Sequence, residues 1–251
     1  MSTVTPPVPD GISIVMPTYN EAGNIAALIR ECSAVIEREL APSFYEFIVA
    51  DDDSPDRTWE CAEQLHDPHV RVIRRQSDRG LRNSIWQGVQ EARGAIIVWM
   101  DCDFSHPPRY LPQMVKIVRL GWDIAVNSRY VAGAQDVREG KGTFVQKLLS
   151  WVLNIMTWTI LGQSFRDYTS GFIAVKADVV KSLGLRGDYG EYFIDFIYRA
   201  VHAGYHVLEL PYLNEPRHAG ESKTGSGLLD YLHRGRKYIS TLIAIRRKGG
   251  L

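Results

Sequence analysis

Asp101 and Asp103 stand one residue apart at the end of the apolar run Ile96-Ile97-Val98-Trp99-Met100. Two carboxylates this close repel each other unless a cation sits between them. Oxygen ligands suit a hard divalent ion such as Mg²⁺ or Mn²⁺, which also bridges substrate phosphates. The run is apolar on both faces, as in a buried strand of a mainly parallel sheet. The pair therefore falls where strand gives way to loop, the rim at which open α/β sheets bind ligands. An Asp-x-Asp alone is equally compatible with a solvated turn.

Two further polar clusters follow strand-like runs. Thr18-Tyr19-Asn20-Glu21 comes after 12–16, and Asp51-Asp52-Asp53 after 44–50. In a parallel sheet all three clusters share one rim, and a nucleotide fits that arrangement. Carboxylates after the second strand can accept hydrogen bonds from base N–H groups or a ribose, while a metal on Asp103 holds a diphosphate. The glycine loops of a dinucleotide-binding GxGxxG or a phosphate-binding GxxxxGK are both missing.

The elements that must position these residues alternate. Strands are predicted at 12–16, 44–50, 70–74, 96–100 and 123–127. Helices are predicted at 21–40, 57–65, 80–92 and 107–120. In the first helix Ile25, Leu28, Ile29, Cys32, Val35 and Ile36 recur at three and four residues, with Asn20 or Thr18 as cap and acids in the first turn. The alternation predicts an α/β fold, a doubly wound, mostly parallel sheet flanked by helices. The 251 residues are 45% hydrophobic and 23% charged, enough for one sizeable core. Lys+Arg and Asp+Glu both number 29, so bulk charge argues neither way about polyanions, and no nucleic-acid partner is expected. Three cysteines without CxxC spacing give no disulfide framework or zinc site and fit a reducing compartment. Cys102, between the two acids, reads as a small packing residue. No signal peptide is visible, and residues 1–10 read as a loose tail. The stretch 148–165 lacks charge, but its polar residues leave it short of the roughly 20 apolar residues of a membrane span.

The motifs Pro17-Thr18-Tyr19-Asn20-Glu21, Asp51-Asp52-Asp53-Ser54-Pro55-Asp56, Gly80-Leu81, Asp101-Cys102-Asp103, Ser128-Arg129-Tyr130 and Gly220-Glu221-Ser222-Lys223 occur in this order. In this the chain resembles glycosyltransferases of family 2, with a GT-A fold, and within them the dolichyl-phosphate (polyprenyl-phosphate) mannose synthases. The resemblance covers residues 11–225. It implies transfer of a hexose, mannose from GDP-mannose, to a polyprenyl or dolichyl phosphate with inversion, dependent on Mg²⁺ or Mn²⁺. By motif match Pro17, Tyr19, Glu21 and Asp52 hold the nucleotide, and Asp51, Asp53, Gly80 and Cys102 belong to the same donor site. Asp101 and Asp103 hold the sugar diphosphate and the metal. Arg129 lies against the donor phosphates, and Arg217 and Lys223 bind the acceptor phosphate. Two positions depart from the pattern. Where the synthases can carry a Gln metal ligand, this chain has the shorter Ser105. A nearby acceptor-gripping Arg is replaced by Gln146, beside Lys147.

The second half of the chain leaves alternatives open. Residues 133–142 read as a mobile loop. Trp151, Ile155, Trp158 and Leu161 recur at helical spacing, either as core or as an apolar groove or membrane-surface helix. The resemblance puts 167–172 at the sugar and acceptor pocket, where Gly171 permits close backbone approach to a ligand. Glu191 and Asp195 lie four apart on one helix face, as a general base or as a solvated or capping pair. A sugar-hydroxyl acceptor needs such a base, whereas an ionised phosphate does not. His106 and His218 read as structural bystanders. Residues 226–251 hold a C-terminal basic amphipathic helix that lies on an anionic bilayer, docks on the catalytic domain or binds a membrane subunit. The expected place is cytoplasmic, peripheral to the cytosolic face of a membrane. The alternatives are another nucleotide sugar such as UDP-glucose, a sugar-hydroxyl acceptor, or a non-catalytic nucleotide-sugar-binding subunit.

Overall fold

The computed structural model describes residues 7–139, 143–162, 165–218 and 228–248. In chain order the elements are β1 (Val8–Thr18), α1 (Ile25–Glu39), β2 (Tyr45–Asp51), α2 (Thr58–Glu63), β3 (Val70–Arg74), α3 (Leu81–Glu91) and β4 (Gly94–Trp99). They continue with α4 (Leu111–Arg119), β5 (Ile124–Ser128), β6 (Gln135–Asp136), α5 (Thr143–Leu161), β7 (Ile173–Lys176) and α6 (Ala177–Leu183). The last are α7 (Glu191–His202), β8 (Val207–Pro211), β9 (Leu213–Asn214) and α8 (Leu228–Lys248). A seven-stranded sheet runs β3-β2-β1-β4-β7-β5-β8. All its pairings are parallel except the two made by β7. The strand order reverses between β1 and β4, which opens a crevice at their carboxyl ends. Because β7 runs the other way, the segment that precedes it arrives on that same rim.

The sheet is covered on both faces, as its near-continuous apolar strands require. Ile14 and Val98 fall in one core with Ile25, Leu28 and Met114 of α1 and α4. Val15 and Ile97 fall in the other with Val89, Val180 and Ile197 of α3, α6 and α7. All six apolar positions that predicted α1 are buried.

Several boundaries differ from the sequence reading. β1 starts at Val8, so residues 8–10 of the expected tail extend the strand; the Pro9-Asp10 pair, with Asp10 at φ 59°, hides it. α1 is preceded by Asn24, has no acid in its first turn and has no side-chain cap. Thr18 is spent on Asp51, and the Asn24 amide donates to Glu21. Part of the loop expected over 133–142 is a short strand, β6, paired with β9. α6, β8 and β9 lay outside the predicted elements.

Candidate active site

The loop after β4 turns sharply. Phe104 sits at φ 67°, a left-handed conformation that costs an aromatic residue energy and that clusters at functional sites. The two acids have different surroundings. The Asp101 carboxylate is half exposed, with His106 Nε2 at 4.0 Å. Asp103 is 1% exposed. Its Oδ1 accepts from the Ser105 N–H at 2.9 Å, and its Oδ2 pairs with Arg217 Nη1 at 2.8 Å. Burial works against the charge on Asp103, yet Arg217 and Ser105 together hold its carboxyl below the ordinary value. His106 is buried, stacked on Phe172 at 4.7 Å, and its Nδ1 accepts from the Asp101 N–H at 3.0 Å. Burial lowers its pKa. The bystander expected from sequence therefore anchors the backbone of Asp101.

A cavity of 290 Å³ opens at the β1/β4 crevice, and Tyr19, Glu21, Asp52, Asp101, Asp103 and Arg217 line it, together with Pro17 and Cys102. The structure thus brings together eight of the sequence-derived site residues. Burial raises the Cys102 thiol well above its usual range, which agrees with packing rather than chemistry. The Asp52 carboxylate pairs with Arg75 and accepts the Gly80 N–H at 2.7 Å, so Gly80 reaches the site through Asp52.

Other expected residues turn away from this cavity. Asp51 is fully buried and accepts from Thr18 Oγ1 at 2.8 Å and from the Ser54 N–H and hydroxyl at 2.8 and 2.6 Å, stapling β1 to β2. Asp53 pairs with Arg74 and Arg79, both at 2.6 Å, on the outer surface. Ser105 is buried and does not line the cavity. Arg129 donates to both oxygens of fully buried Asp167 at 2.9 and 2.7 Å and to Thr169 Oγ1 at 2.6 Å. Burial opposes that charge, but Asp167 keeps the guanidinium firmly protonated. Arg129 thereby fixes the 167–169 turn and does not line this cavity. Lys223 lies outside the described residues, as do Gly220 and the side chain of Gln146. Lys147 donates to the Asp136 carbonyl at 2.7 Å.

A second cavity of 190 Å³ adjoins the first at Pro17, Leu81, Asp101 and Tyr189. Trp99, Ser170, Gly171, Gly190, Tyr192 and Tyr238 add to its wall. Gly171 adopts φ 70°, with open space where a Cβ would point. The aromatic members were missed in the sequence because they come from β4, α7 and α8. Glu191 and Asp195 line neither cavity. Asp195 is fully buried against Arg199 at 2.7 Å, and Glu191 accepts the Asp188 and Tyr189 N–H groups at 3.1 and 3.3 Å. Glu191 braces the turn before α7 without capping the helix, and neither acid is solvated.

Among the described residues no three His, Cys, Asp or Glu side chains converge as a metal cage. A hard ion held by one or two carboxylates and completed by substrate phosphates and water needs no such cage. The half-exposed Asp101 beside Asp103 fits an ion of that kind.

α5 is inverted. Its polar Asn154 and Thr157 are buried, while Phe144, Leu148, Trp151, Ile155 and Trp158 are exposed. The Asn154 amide donates to Thr169 Oγ1 at 2.9 Å, and its oxygen accepts the Tyr168 N–H at 2.7 Å, so the inward polar face braces the 167–169 turn. α8 packs on α5 and α7 through fully buried Leu242 and Ile245, leaving Ile239 and Ile243 outside. Among the described residues no helix is long and apolar enough to cross a membrane.

Residues 13–184 match the family model described as glycosyl transferase family 2. The chain is 35% identical over 226 residues to a dolichol-phosphate mannosyltransferase of Pyrococcus furiosus, with 88% of this chain covered; it spans only 61% of that relative's length. It is 30% identical over 225 residues to an undecaprenyl-phosphate mannosyltransferase of Micrococcus luteus, covering 86% of this chain and 88% of the relative. In three dimensions it resembles the glucosyl-3-phosphoglycerate synthase of Mycobacterium tuberculosis, solved with Mn²⁺, UDP and glucosyl-3-phosphoglycerate. The TM-score is 0.68 at 20% identity, over 96% of this chain and 81% of that one. At that identity the likeness speaks for the GT-A fold.

Proposed function

Because the chain belongs to glycosyl transferase family 2, we propose that it moves a hexose from a nucleoside diphosphate sugar to a polyprenyl phosphate, with GDP-mannose as donor. One observation carries this reading: a carboxylate pair and a cation, Asp101, Asp103 and Arg217, share one cavity at the switch point of the sheet. The names of the Pyrococcus and Micrococcus relatives support the choice of mannose and of a polyprenyl phosphate acceptor.

Pro17, Tyr19, Glu21 and Asp52 wall the side that takes the nucleotide. Asp101 and Asp103 would hold Mg²⁺ or Mn²⁺. When bound, the ion supplies Lewis-acid stabilisation of the leaving diphosphate. Arg217 offsets the charge of the incoming phosphate, which the donor's own phosphates would otherwise repel. Lys223 belongs to the same task. A phosphate oxygen, already ionised near neutral pH, attacks the anomeric carbon as the diphosphate departs from the opposite face, so the configuration inverts and no base is needed. Neither Glu191 nor Asp195 lines either cavity, which supports this acceptor over a sugar hydroxyl. Arg129 acts as a positioning residue for the 167–169 turn. The exposed apolar faces of α5 and α8 suit a protein lying on the membrane that carries its lipid acceptor.

The test is a thermal-shift and transfer assay on the full chain with Mn²⁺, GDP-mannose and polyprenyl phosphate in vesicles. Donor at a hundred times its Kd should stabilise the fold by about 2.7 kcal/mol in the presence of metal, and labelled mannose should move to the lipid. No metal-dependent stabilisation by any nucleoside diphosphate hexose would overturn the reading.

A further inference from the structure

The second cavity begins at Asp101, the carboxylate next to the diphosphate site, and its walls are aromatic rings that carry polar edges. Trp99 Nε1 donates to the Tyr192 hydroxyl at 3.0 Å, and both residues are almost fully buried. Burial, with Asp101 and Tyr238 nearby, pushes the Tyr192 phenol far up, so it remains a protonated donor. Aromatic faces with hydroxyl edges match a hexose, which presents C–H faces and a rim of hydroxyls.

One wall residue, Tyr238, comes from α8, about 140 residues beyond Trp99. Three features hold it in place. Leu242 and Ile245, on the same helix, are fully buried against the second core. Lys237 pairs with Asp188 at 3.0 Å, on the lip just before α7. Gly190 lets the phenol approach: a Cβ there would fall well inside van der Waals contact of the Tyr238 hydroxyl, but 3.4 Å from its Cζ. The glycine is fitted to the oxygen of this tyrosine, not merely to its ring.

We propose that Tyr238 is a specificity-determining residue supplied by the C-terminal helix. Its phenol, seated on Gly190, closes the second cavity over the donor's hexose, selects among hexose epimers and keeps water from the anomeric carbon. The inference rests on the transferase reading above.

The experiment uses the full chain and the variants Tyr238→Ala, Tyr238→Phe, Gly190→Ala and Gly190→Ala/Tyr238→Phe. It measures Kd for GDP with Mn²⁺, Kd for GDP-mannose and GDP-glucose with Mn²⁺, and the ratio of donor hydrolysis to transfer. In Tyr238→Ala and Gly190→Ala the Kd for GDP is expected to stay put. Discrimination between the two sugars should fall and the hydrolysis ratio rise, each about tenfold, the scale of one lost pocket contact. Adding Tyr238→Phe to Gly190→Ala removes the clashing oxygen and should return the hydrolysis ratio to that of Tyr238→Phe alone. Unchanged discrimination and hydrolysis in Tyr238→Ala, with GDP bound normally, would overturn the proposal. Should that variant not fold, Tyr238→Phe decides: reduced epimer discrimination supports the proposal and unchanged discrimination overturns it. A wild-type chain that binds no nucleotide with metal would bring down the transferase reading, and this inference with it.

Discussion

At the amino ends of the parallel strands, Glu46 accepts from Ser13 Oγ at 2.8 Å, from the Arg93 N–H and guanidinium at 2.9 to 3.0 Å and from Arg71 Nε at 3.0 Å. At the carboxyl ends, Asp101 keeps a half-exposed carboxylate, and Asp103 shares its charge with Arg217. The same sheet carries both sets of acids. One set is surrounded by donors from β1, β3 and the turn before β4 and can bind nothing further. The other is held by backbone groups and a strained loop, with coordination left over. Saturated polar groups specify structure; undersaturated ones in a cavity are where a ligand gains most.

Breaking each rim should have different consequences for the transfer rate. The largest effect is expected for Asp103→Ala, which should slow transfer about a thousandfold, roughly 4 kcal/mol, even at a temperature where the variant is folded; a kinetic assay beside a urea titration separates this from the stability lost with the buried Arg217 pair. Next comes Glu46→Ala, expected to cost about 3 kcal/mol of stability, the low end for a broken buried pair because Arg71 and Arg93 regain water. Its transfer rate at a temperature where it is folded should match wild type, and a rate loss without a stability loss would erase the distinction between the rims. Arg217→Lys keeps the charge but loses the planar fork, so KM for the lipid phosphate should rise about tenfold with the donor Kd unmoved. The smallest effect is on pH dependence. Burial opposes the charge on Glu46, but Arg93, Ser13 and Arg71 outweigh it and hold the pKa below its ordinary value. Its stabilising contribution is therefore complete above the unfolded value of about 4.3 and disappears as pH falls through the lower folded value. Acid titration of stability in Glu46→Gln should lose that component.

How far this division was legible depends on the range of the interaction. Period and apolarity are local, so the alternation of Ile14 and Val15 between two cores and the gathering of three polar clusters on one rim could be read directly. Adjacent acids could not be separated: Asp51 staples β1, Asp52 faces the cavity and Asp53 meets solvent-side arginines, a division set by where β2 ends. The pairing of Arg129 with Asp167, 38 residues on, carries no mark in the sequence. Nothing in the short run 173–176 encodes that β7 runs antiparallel, yet that direction brings 167–171 to the site. The Trp151/Ile155/Trp158 spacing fixed a face of α5 but not whether the face turned in; the buried Asn154 and Thr157 decide it.

The central claim is that the Asp101/Asp103 rim binds the donor through a divalent ion. Isothermal titration of GDP-mannose into the full chain tests it most directly, with Mn²⁺ or with EDTA, for wild type and Asp103→Ala. Chelation and the substitution should each weaken donor binding about a hundredfold, with little further loss when they are combined, as expected of two ways of removing one interaction. Donor affinity indifferent to both would contradict the account.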